Sequence, residues 1–103
     1  MTDRPASSTV IIEEQIRLSF ADLCSACGAD PSTLRGLIDE GLLQPAGSEP
    51  DEWHFEGRAL PRALTALRLA RDLHLSADAT VLVVDLLEEI SALRARLHRA
   101  GLA

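Results

Sequence analysis

The sequence predicts a mainly α-helical fold with a helix-turn-helix unit, a small β-hairpin and a long C-terminal helix. Apolar residues make up 47% of the 103 residues, and most of them are Leu and Ala, which favour helix over strand. In the first half of the chain, two short apolar stripes each begin after a capping residue and end before a glycine. In residues 77–99, apolar side chains recur at alternating spacings of three and four, as on one helix face. Because only 3% of the residues are aromatic, the core must be built from aliphatic side chains.

Two short helices open the predicted domain. Ser19 is an N-cap residue, an apolar stripe follows it, and Gly28 ends the segment. Asp30 and Pro31 then start a second helix, as an N-cap followed by proline in the first helical position, and that helix is predicted to end at Gly41. Two short helices joined by a tight glycine-containing turn form a helix-turn-helix unit.

A β-hairpin wing is predicted beside these helices, in residues 42–56. Its middle is a polar segment rich in Gly, Pro and Ser, which is typical of a turn. Trp53 and Phe55 then alternate across a polar residue, as in a short half-buried strand. Residues 10–12 and 16–18 are predicted to be further short extended pieces.

A third helix is predicted from about Arg58 to Leu73, because Pro61 is tolerated in a first turn and an apolar face follows it. Arg62 is expected to face water, and His74 is expected to end the helix. The residues expected to face the core are Leu60, Ala63, Leu64, Leu67 and Ala70.

The last predicted helix, residues 77–99, begins after the N-cap Ser76 and would extend roughly 34 Å at about 1.5 Å per residue. That length exceeds what a domain of this size covers by itself. Leu82 and Leu87 are expected to widen the apolar surface of its N-terminal half on the side that faces the core. The predicted dimer interface is a heptad seam formed by Val83, Leu86, Ile90, Leu93 and Leu97. We expect a second copy of the chain to cover this seam in antiparallel orientation, and packing along its own domain is the alternative.

Few residues of the chain are arranged for chemistry. Cys24 and Cys27 form a CxxC, but they share one helix face with Phe20 and Leu23, which indicates two small buried thiols. A structural zinc ion would need two further ligands, and the three histidines are scattered singly. The sequence has no glycine-rich phosphate loop, nucleophile elbow or metal-ligand spacing. We therefore expect no enzyme activity, no cofactor and no metal.

Two stretches of the chain carry a resemblance to a known family. They are LSFADLCSACGADPSTLRGLIDEGLLQP and WHFEGRALPRALTALRLARDLHLSADATVLVVDLLEEISALRARL. The order of helix-turn-helix, aromatic wing, second helix pair and long helix resembles the MerR-type winged helix-turn-helix family. Trp53 with Phe55, the run in residues 68–73 and the apolar run in residues 81–90 look more similar to the CbpM family of chaperone modulators. The resemblance covers about residues 10–98.

The resemblance implies an adaptor without catalysis. Members of the CbpM family bind the J-domain of a DnaJ-like co-chaperone of the CbpA type, and they inhibit both its work with the Hsp70 DnaK and its DNA binding. The resemblance also implies a homodimer joined through the C-terminal helix. One departure is His74, which stands where many MerR proteins carry glycine at the helix end.

On this basis we expect three regions in the chain. Residues 1–9 are expected to be a flexible tail, residues 10–76 a winged helix-turn-helix-like domain, and residues 77–103 a dimerisation helix continuous with that domain. The first nine residues lack the apolar core of a secretory signal, and the chain has no run of 18 apolar residues. We therefore expect a cytoplasmic protein without a membrane segment.

The net charge of −6 is unevenly distributed along the chain. Residues 1–56 carry eleven acidic residues and three arginines, a net charge of −8, whereas residues 57–103 carry a net charge of +2. A MerR-like regulator would contact DNA through the first half, and phosphate binding requires Lys or Arg. We therefore rank a MerR-like DNA-binding regulator as the alternative, below binding of a protein partner.

An acidic face suits a basic partner, and J-domains engage Hsp70 through a basic helix. The predicted partner-binding residues are Asp39, Glu40, Glu49, Asp51 and Glu52. Arg68 and Arg71 are competing candidates for partner contacts, although ion pairs with Asp72 or Asp85 would explain them equally well.

Overall fold

The described chain is mostly helical and carries one small antiparallel β-pair. A computed structural model describes residues 16–102. Its elements, in chain order, are strand β1 (Arg17–Ser19), helix α1 (Phe20–Cys27), helix α2 (Pro31–Asp39), a 3-10 turn (Pro50–Glu52), strand β2 (His54–Glu56), helix α3 (Ala59–Leu73) and helix α4 (Ala77–Arg99). The predicted fold class is confirmed. The predicted tail, residues 1–9, and the extended piece predicted at residues 10–12 lie outside the described residues.

The helix-turn-helix unit begins with a capping box. The Asp22 backbone N–H donates to Ser19 Oγ at 3.0 Å, and the Ser19 N–H donates back to the Asp22 carboxylate at 3.3 Å. Gly28 ends α1 in the left-handed region, with φ of 62°. Asp30 then caps α2 by accepting a hydrogen bond from the Ser32 N–H at 3.1 Å. Both helices therefore start where the sequence predicts, while α2 stops at Asp39, two residues before Gly41.

The core lies where α1, α2 and α3 meet the first turns of α4. Its largest fully buried side chains are Leu23, Leu34, Leu37, Leu42 and Thr80. In α3, the core-facing residues are Ala59, Ala63 and Ala66, whose small side chains let the neighbouring helices approach closely. Leu64 was predicted to face the core, but 43% of it is exposed. The prediction was wrong because the alanine positions set the rotation of the helix, and Leu64 lies about 100° around the axis from Ala63.

The wing differs from the predicted hairpin in which strands pair. Within residues 42–56, one isolated bridge joins Ala46 to His54, and the 3-10 turn lies between them. Strand β2 forms its ladder with β1, in antiparallel register with Leu18 opposite Phe55. The extended piece predicted at residues 16–18 is thus the main partner of β2, displaced by one residue.

Helices α3 and α4 are connected by a turn with a left-handed residue, His74, and by ion pairs of Arg62. His74 ends α3 with φ of 56°, a conformation in which glycine is more common. Ser76 then caps α4 by accepting from the Ala79 N–H at 3.4 Å. Arg62 was expected to face water, but only 25% of its side chain is exposed, because it crosses to Asp85 and Glu88 of α4.

Candidate partner-binding surfaces

The five predicted partner-binding residues lie in two exposed places. Asp39 ends α2 and Glu40 caps it, while Glu49 directly precedes the 3-10 turn that contains Asp51 and Glu52. All five are exposed. We call this group the acidic surface. Its role in binding a partner stays a prediction.

Arg35 connects the end of α2 to the wing. Its Nε donates to Asp39 Oδ1 at 3.2 Å, and its Cζ lies 5.1 Å from the centroid of the Trp53 ring. Trp53 directly follows Glu52 in the chain. Arg35 therefore links Asp39 at the end of α2 to the residue that directly follows the acidic 3-10 turn. This arginine was not among the predicted site residues, although its spacing of four residues from Asp39 is a signal for a helical ion pair.

The wing is held against the helices by aromatic contacts. Phe20 and Trp53 pack edge to face with centroids 5.8 Å apart, and Trp53 packs the same way against Phe55 at 6.1 Å. At the tip of the wing, Gly47 has φ of 110°, and a Cβ there would lie 2.7 Å from the backbone oxygen of Glu52. The acidic 3-10 turn is thus carried on a loop fixed by contacts at both of its ends.

A second candidate surface is the exposed apolar face of α4. The exposed fractions of Leu86, Ile90, Leu93 and Leu97 are 53%, 45%, 44% and 44%. Val83, the fifth residue of the predicted seam, is half-buried. We call these five residues the apolar stripe. The opposite face of the helix is the one that enters the core, through Thr80, Val81 and Val84.

Leu82 and Leu87 were predicted to extend the helix surface towards the core. Leu82 is 59% exposed, so that prediction was wrong for this residue. Because Val81 and Val84 face the core, Leu82 turns outward and borders the apolar stripe instead. Leu87 is 45% exposed and lies on the other side of the stripe, so the prediction was wrong for this residue as well.

A third feature is an open groove between the wing, the start of α3 and the middle of α4, with a volume of about 940 Å³. We call it the wing–helix groove. Its apolar lining includes Leu42, Leu43, Phe55, Pro61, Val84 and Leu87. Arg58, Arg62 and Glu88 stand along it. This groove could not be predicted from the sequence, because its walls come from segments far apart in the chain.

The CxxC pair is poorly suited to thiolate chemistry. Cys24 is buried and Cys27 is half-buried, and both are free thiols. Burial, followed by the charge of Asp30, raises the pKa of Cys24, and burial also raises the pKa of Cys27. A raised pKa keeps a thiol protonated near neutral pH, and the thiol is a weak nucleophile and metal ligand. Among residues 16–102, no three His, Cys, Asp or Glu side chains are grouped to hold a metal ion.

The comparisons with known proteins agree with this architecture. The family model described as "MerR HTH family regulatory protein" matches residues 18–100. The chaperone modulatory protein CbpM of Pseudomonas entomophila is 31% identical over 88 residues, which cover 85% of this chain and 83% of that protein. CbpM of Coxiella burnetii is 31% identical over 89 residues, with 86% and 84% covered, and CbpM of Pseudomonas putida is 30% identical over 88 residues, with 85% and 83% covered. This chain belongs to the CbpM family of MerR-type helix-turn-helix proteins.

The charge of this CbpM-family chain is unusual for a DNA-reading surface. In residues 16–56, which hold the helix-turn-helix unit and the wing, eight acidic residues accompany two arginines. A helix-turn-helix protein contacts phosphates through these elements, and carboxylates there would repel the duplex. The names of the CbpM relatives and the family description designate modulators and regulatory proteins, not enzymes. No helix within residues 16–102 is both long and apolar enough to cross a membrane.

Proposed function

We propose that this chain binds the J-domain of a DnaJ-like, CbpA-type co-chaperone and inhibits its activity. The relatives are named chaperone modulatory proteins, which supports a chaperone-modulator role and implies a co-chaperone partner. The observation that carries J-domain binding is the acidic surface, whose five carboxylates are exposed and whose two parts are connected through Arg35 and Trp53.

An acidic surface binds a basic helix through complementary charge. Exposed carboxylates steer a cationic partner and fix its orientation, while each rim pair adds little affinity by itself. A J-domain whose basic helix is covered in this way would no longer reach its Hsp70. Competition for one helix therefore explains inhibition without any catalytic group on this chain.

We propose that the functional unit is a homodimer, with residues 77–103 as a dimerisation helix continuous with the domain of residues 10–76. Support comes from the apolar stripe, since every residue from 91 to 100 is exposed in the single chain. Glu89 lies just past the midpoint of α4, and Arg94 and Arg96 lie one to two turns closer to its C-terminus. An antiparallel partner helix would bring these opposite charges together along the stripe.

The second candidate function is DNA-binding regulation. The family description, "MerR HTH family regulatory protein", favours it. The charge of residues 16–56 opposes it, because phosphate contacts need more cations than the two arginines of this segment. If the chain does bind a DNA duplex, the affinity should fall steeply as salt rises. Cationic side chains from outside residues 16–56 would then have to supply most of the phosphate contacts.

The proposal is tested by titrating the full chain with a purified CbpA-type J-domain at rising ionic strength. We expect a complex at low salt that weakens as salt screens the charges. Asp51→Asn should weaken binding about threefold at low salt, the effect of one exposed charge pair. Asp72→Asn is the matched control, because Asp72 is also an exposed aspartate but lies at the far end of α3.

A second readout is the ATPase of an Hsp70 stimulated by the same J-domain, which excess chain should suppress. Failure to form any complex at low ionic strength would overturn the modulator function. If a complex forms and Asp51→Asn weakens it no more than Asp72→Asn does, the interface lies away from the acidic surface.

A further inference from the structure

We propose that the wing–helix groove is the docking site for the apolar face of an amphipathic, basic helix. This inference rests on the proposed function, because that helix is the basic helix of the J-domain. The acidic surface then contacts the basic side chains of the helix, while the groove receives its aliphatic side chains. Three observations support this arrangement: the apolar floor of the groove, the charge along it, and the chain segment that it shares with the acidic surface.

The groove continues the hydrophobic core to the surface. Its floor includes Leu42, Phe55 and Val84, which are only 1%, 3% and 3% exposed. One wall, on α4, includes Leu87, which is 45% exposed. An amphipathic helix in such a groove inserts aliphatic side chains spaced three and four residues apart. Their burial is favourable by about 25 cal/mol per Å² of apolar area, so aliphatic side chains gain most from this site.

The charged groups along the groove leave it negative. Arg58 Nε lies 2.7 Å from a carboxylate oxygen of Glu56. Arg62 pairs with Glu88 at 2.7 Å and with Asp85 at 2.9 Å. Three carboxylates therefore accompany two guanidinium groups, and both guanidinium groups are already paired. A partner with Lys or Arg beside its apolar side chains complements this charge, whereas a partner rich in carboxylates would be repelled.

One segment of the chain builds both the groove and the acidic surface. Glu40 caps α2, and the groove residues Leu42 and Leu43 follow it closely in the chain. On the other side of the acidic 3-10 turn, His54 also lines the groove. Nδ1 of His54 donates to the backbone oxygen of Glu52 at 2.7 Å. The acidic turn is therefore held beside a groove residue, and one partner helix can contact both.

The two parts of this interface have different physical roles. Exposed carboxylates steer and orient a cationic helix, and their contribution weakens as salt screens the charges. Apolar side chains in a desolvated groove supply affinity that does not depend on charge. The complex should therefore keep part of its affinity at high salt, and groove substitutions should lower that part.

The first test compares two leucines in the titration of the full chain with a purified CbpA-type J-domain. Leu87→Ala should weaken binding about tenfold at low and at high salt, because it removes an apolar contact. Leu64→Ala is the matched control, since Leu64 is 43% exposed on α3 and does not line the groove. It should change the affinity by no more than about twofold.

The second test changes the charge at Ser91, an exposed residue of α4 that lines the groove. Ser91→Lys should weaken binding about threefold at low salt, and Ser91→Glu should strengthen it by a similar factor. Both differences should vanish at high salt. The opposite order of the two variants would overturn the inference, because it would assign the groove to an anionic ligand.

The remaining outcomes separate this inference from the proposed function. If the unmodified chain binds no J-domain at low salt, both are overturned. If a complex forms and the Leu87 and Ser91 variants bind like the unmodified chain, only the groove inference is overturned. A Leu87→Ala chain that changes sedimentation mass by itself but binds the J-domain normally would assign the groove to a second copy, which also overturns it.

Discussion

The guanidinium of Arg35 lies over the indole ring of Trp53, with Cζ 5.1 Å from the ring centroid. The same guanidinium donates to the carboxylate of Asp39, so one side chain joins the end of α2 to the wing. Phe20 packs edge to face against the same indole. Trp53 therefore couples the position of the acidic 3-10 turn to the helix-turn-helix unit.

The first prediction concerns this contact. Arg35→Ala should shift the fluorescence emission of Trp53 to longer wavelength, because water gains access to the ring face that the guanidinium covers. The signal is unambiguous, since the chain contains one Trp and no Tyr. The substitution should also cost about 0.5–1 kcal/mol of stability, as an exposed cation–π contact does. Arg17→Ala, which removes an exposed arginine from β1, is the control and should leave the emission unchanged; an unchanged spectrum for Arg35→Ala would contradict the contact.

The second prediction concerns the tip of the wing. Gly47→Ala should destabilise the wing, because φ of 110° is unfavourable for alanine and the new Cβ would meet the Glu52 backbone oxygen at 2.7 Å. The cost should be about 1–3 kcal/mol, as for other backbone strain. Urea unfolding measures it. Gly36→Ala is the control, since a Cβ there meets no heavy atom within 4 Å, and it should be neutral or stabilising in the middle of α2.

The third prediction concerns the pair that joins α3 to α4. Arg62 Nε and Nη2 donate to Glu88 at 2.7 and 2.9 Å, and Nη2 also donates to Asp85 at 2.9 Å. The hydrogen bond from Arg62, together with its charge, lowers the pKa of Glu88 below its ordinary value of 4.5. A carboxyl with a lowered pKa stabilises the fold above its ordinary pKa, and that stabilisation is lost as pH falls through the lowered one.

Glu88→Gln should therefore reduce stability at pH 7 by about 0.5–1 kcal/mol, a small value because the Glu88 side chain is 55% exposed. The difference between the two proteins should shrink as pH falls below 4.5. Urea unfolding at a series of pH values measures it. Asp72→Asn, at the exposed Arg71 pair, provides the comparison. A difference for Glu88→Gln that persists unchanged into strong acid would mean that packing, and not the ion pair, is lost.

The fourth prediction concerns the apolar stripe. Leu93→Asp should convert a dimer into a monomer, because it places a charge in the middle of a proposed apolar interface. Sedimentation velocity measures the mass. Leu64→Asp is the matched control, because Leu64 is 43% exposed on α3 and Leu93 is 44% exposed on α4. If both variants keep the mass of the unmodified chain, the stripe is not the dimer interface.

The fifth prediction concerns the start of α1. Ser19→Ala should lower the free energy of unfolding by about 1 kcal/mol, because it removes the side-chain acceptor for the Asp22 N–H. Ser25→Ala is the control, since Ser25 is exposed within α1 and alanine favours helix at that position. Thermal unfolding followed by circular dichroism distinguishes them. Equal stability of the two variants would contradict the capping box.

Local features of the sequence predicted the helices well. Ser19, Asp30 and Ser76 each cap a helix at the predicted residue, because a cap acts through the backbone N–H groups two or three positions away. The ends of α1 and α3 were also predicted at the correct residues. Gly28 and His74 adopt the left-handed conformation that stops these two helices. These interactions span few residues, so they can be predicted before the partners of each helix are known.

The long-range contacts could not be predicted in the same way. Leu64 and Leu82 are apolar and fit the helical periodicity of the core, yet both are exposed. Periodicity identifies a stripe about 100° wide, but neighbouring helices decide which part of it is buried. The small alanines of α3 fix that choice here. Arg35 over Trp53 was missed for the same reason, because the two residues are brought together by the wing.

The sequence by itself determined where the helices start, the −8 charge of the first half and the apolar seam of the last helix. Each of these follows from side chains close together along the chain. Only the tertiary structure decided that β2 pairs with β1, that Arg62 joins α3 to α4, and that a groove opens between them and the wing. These features depend on how helices of fixed periodicity rotate to bury the most apolar area, and that rotation is settled by all the elements packing together.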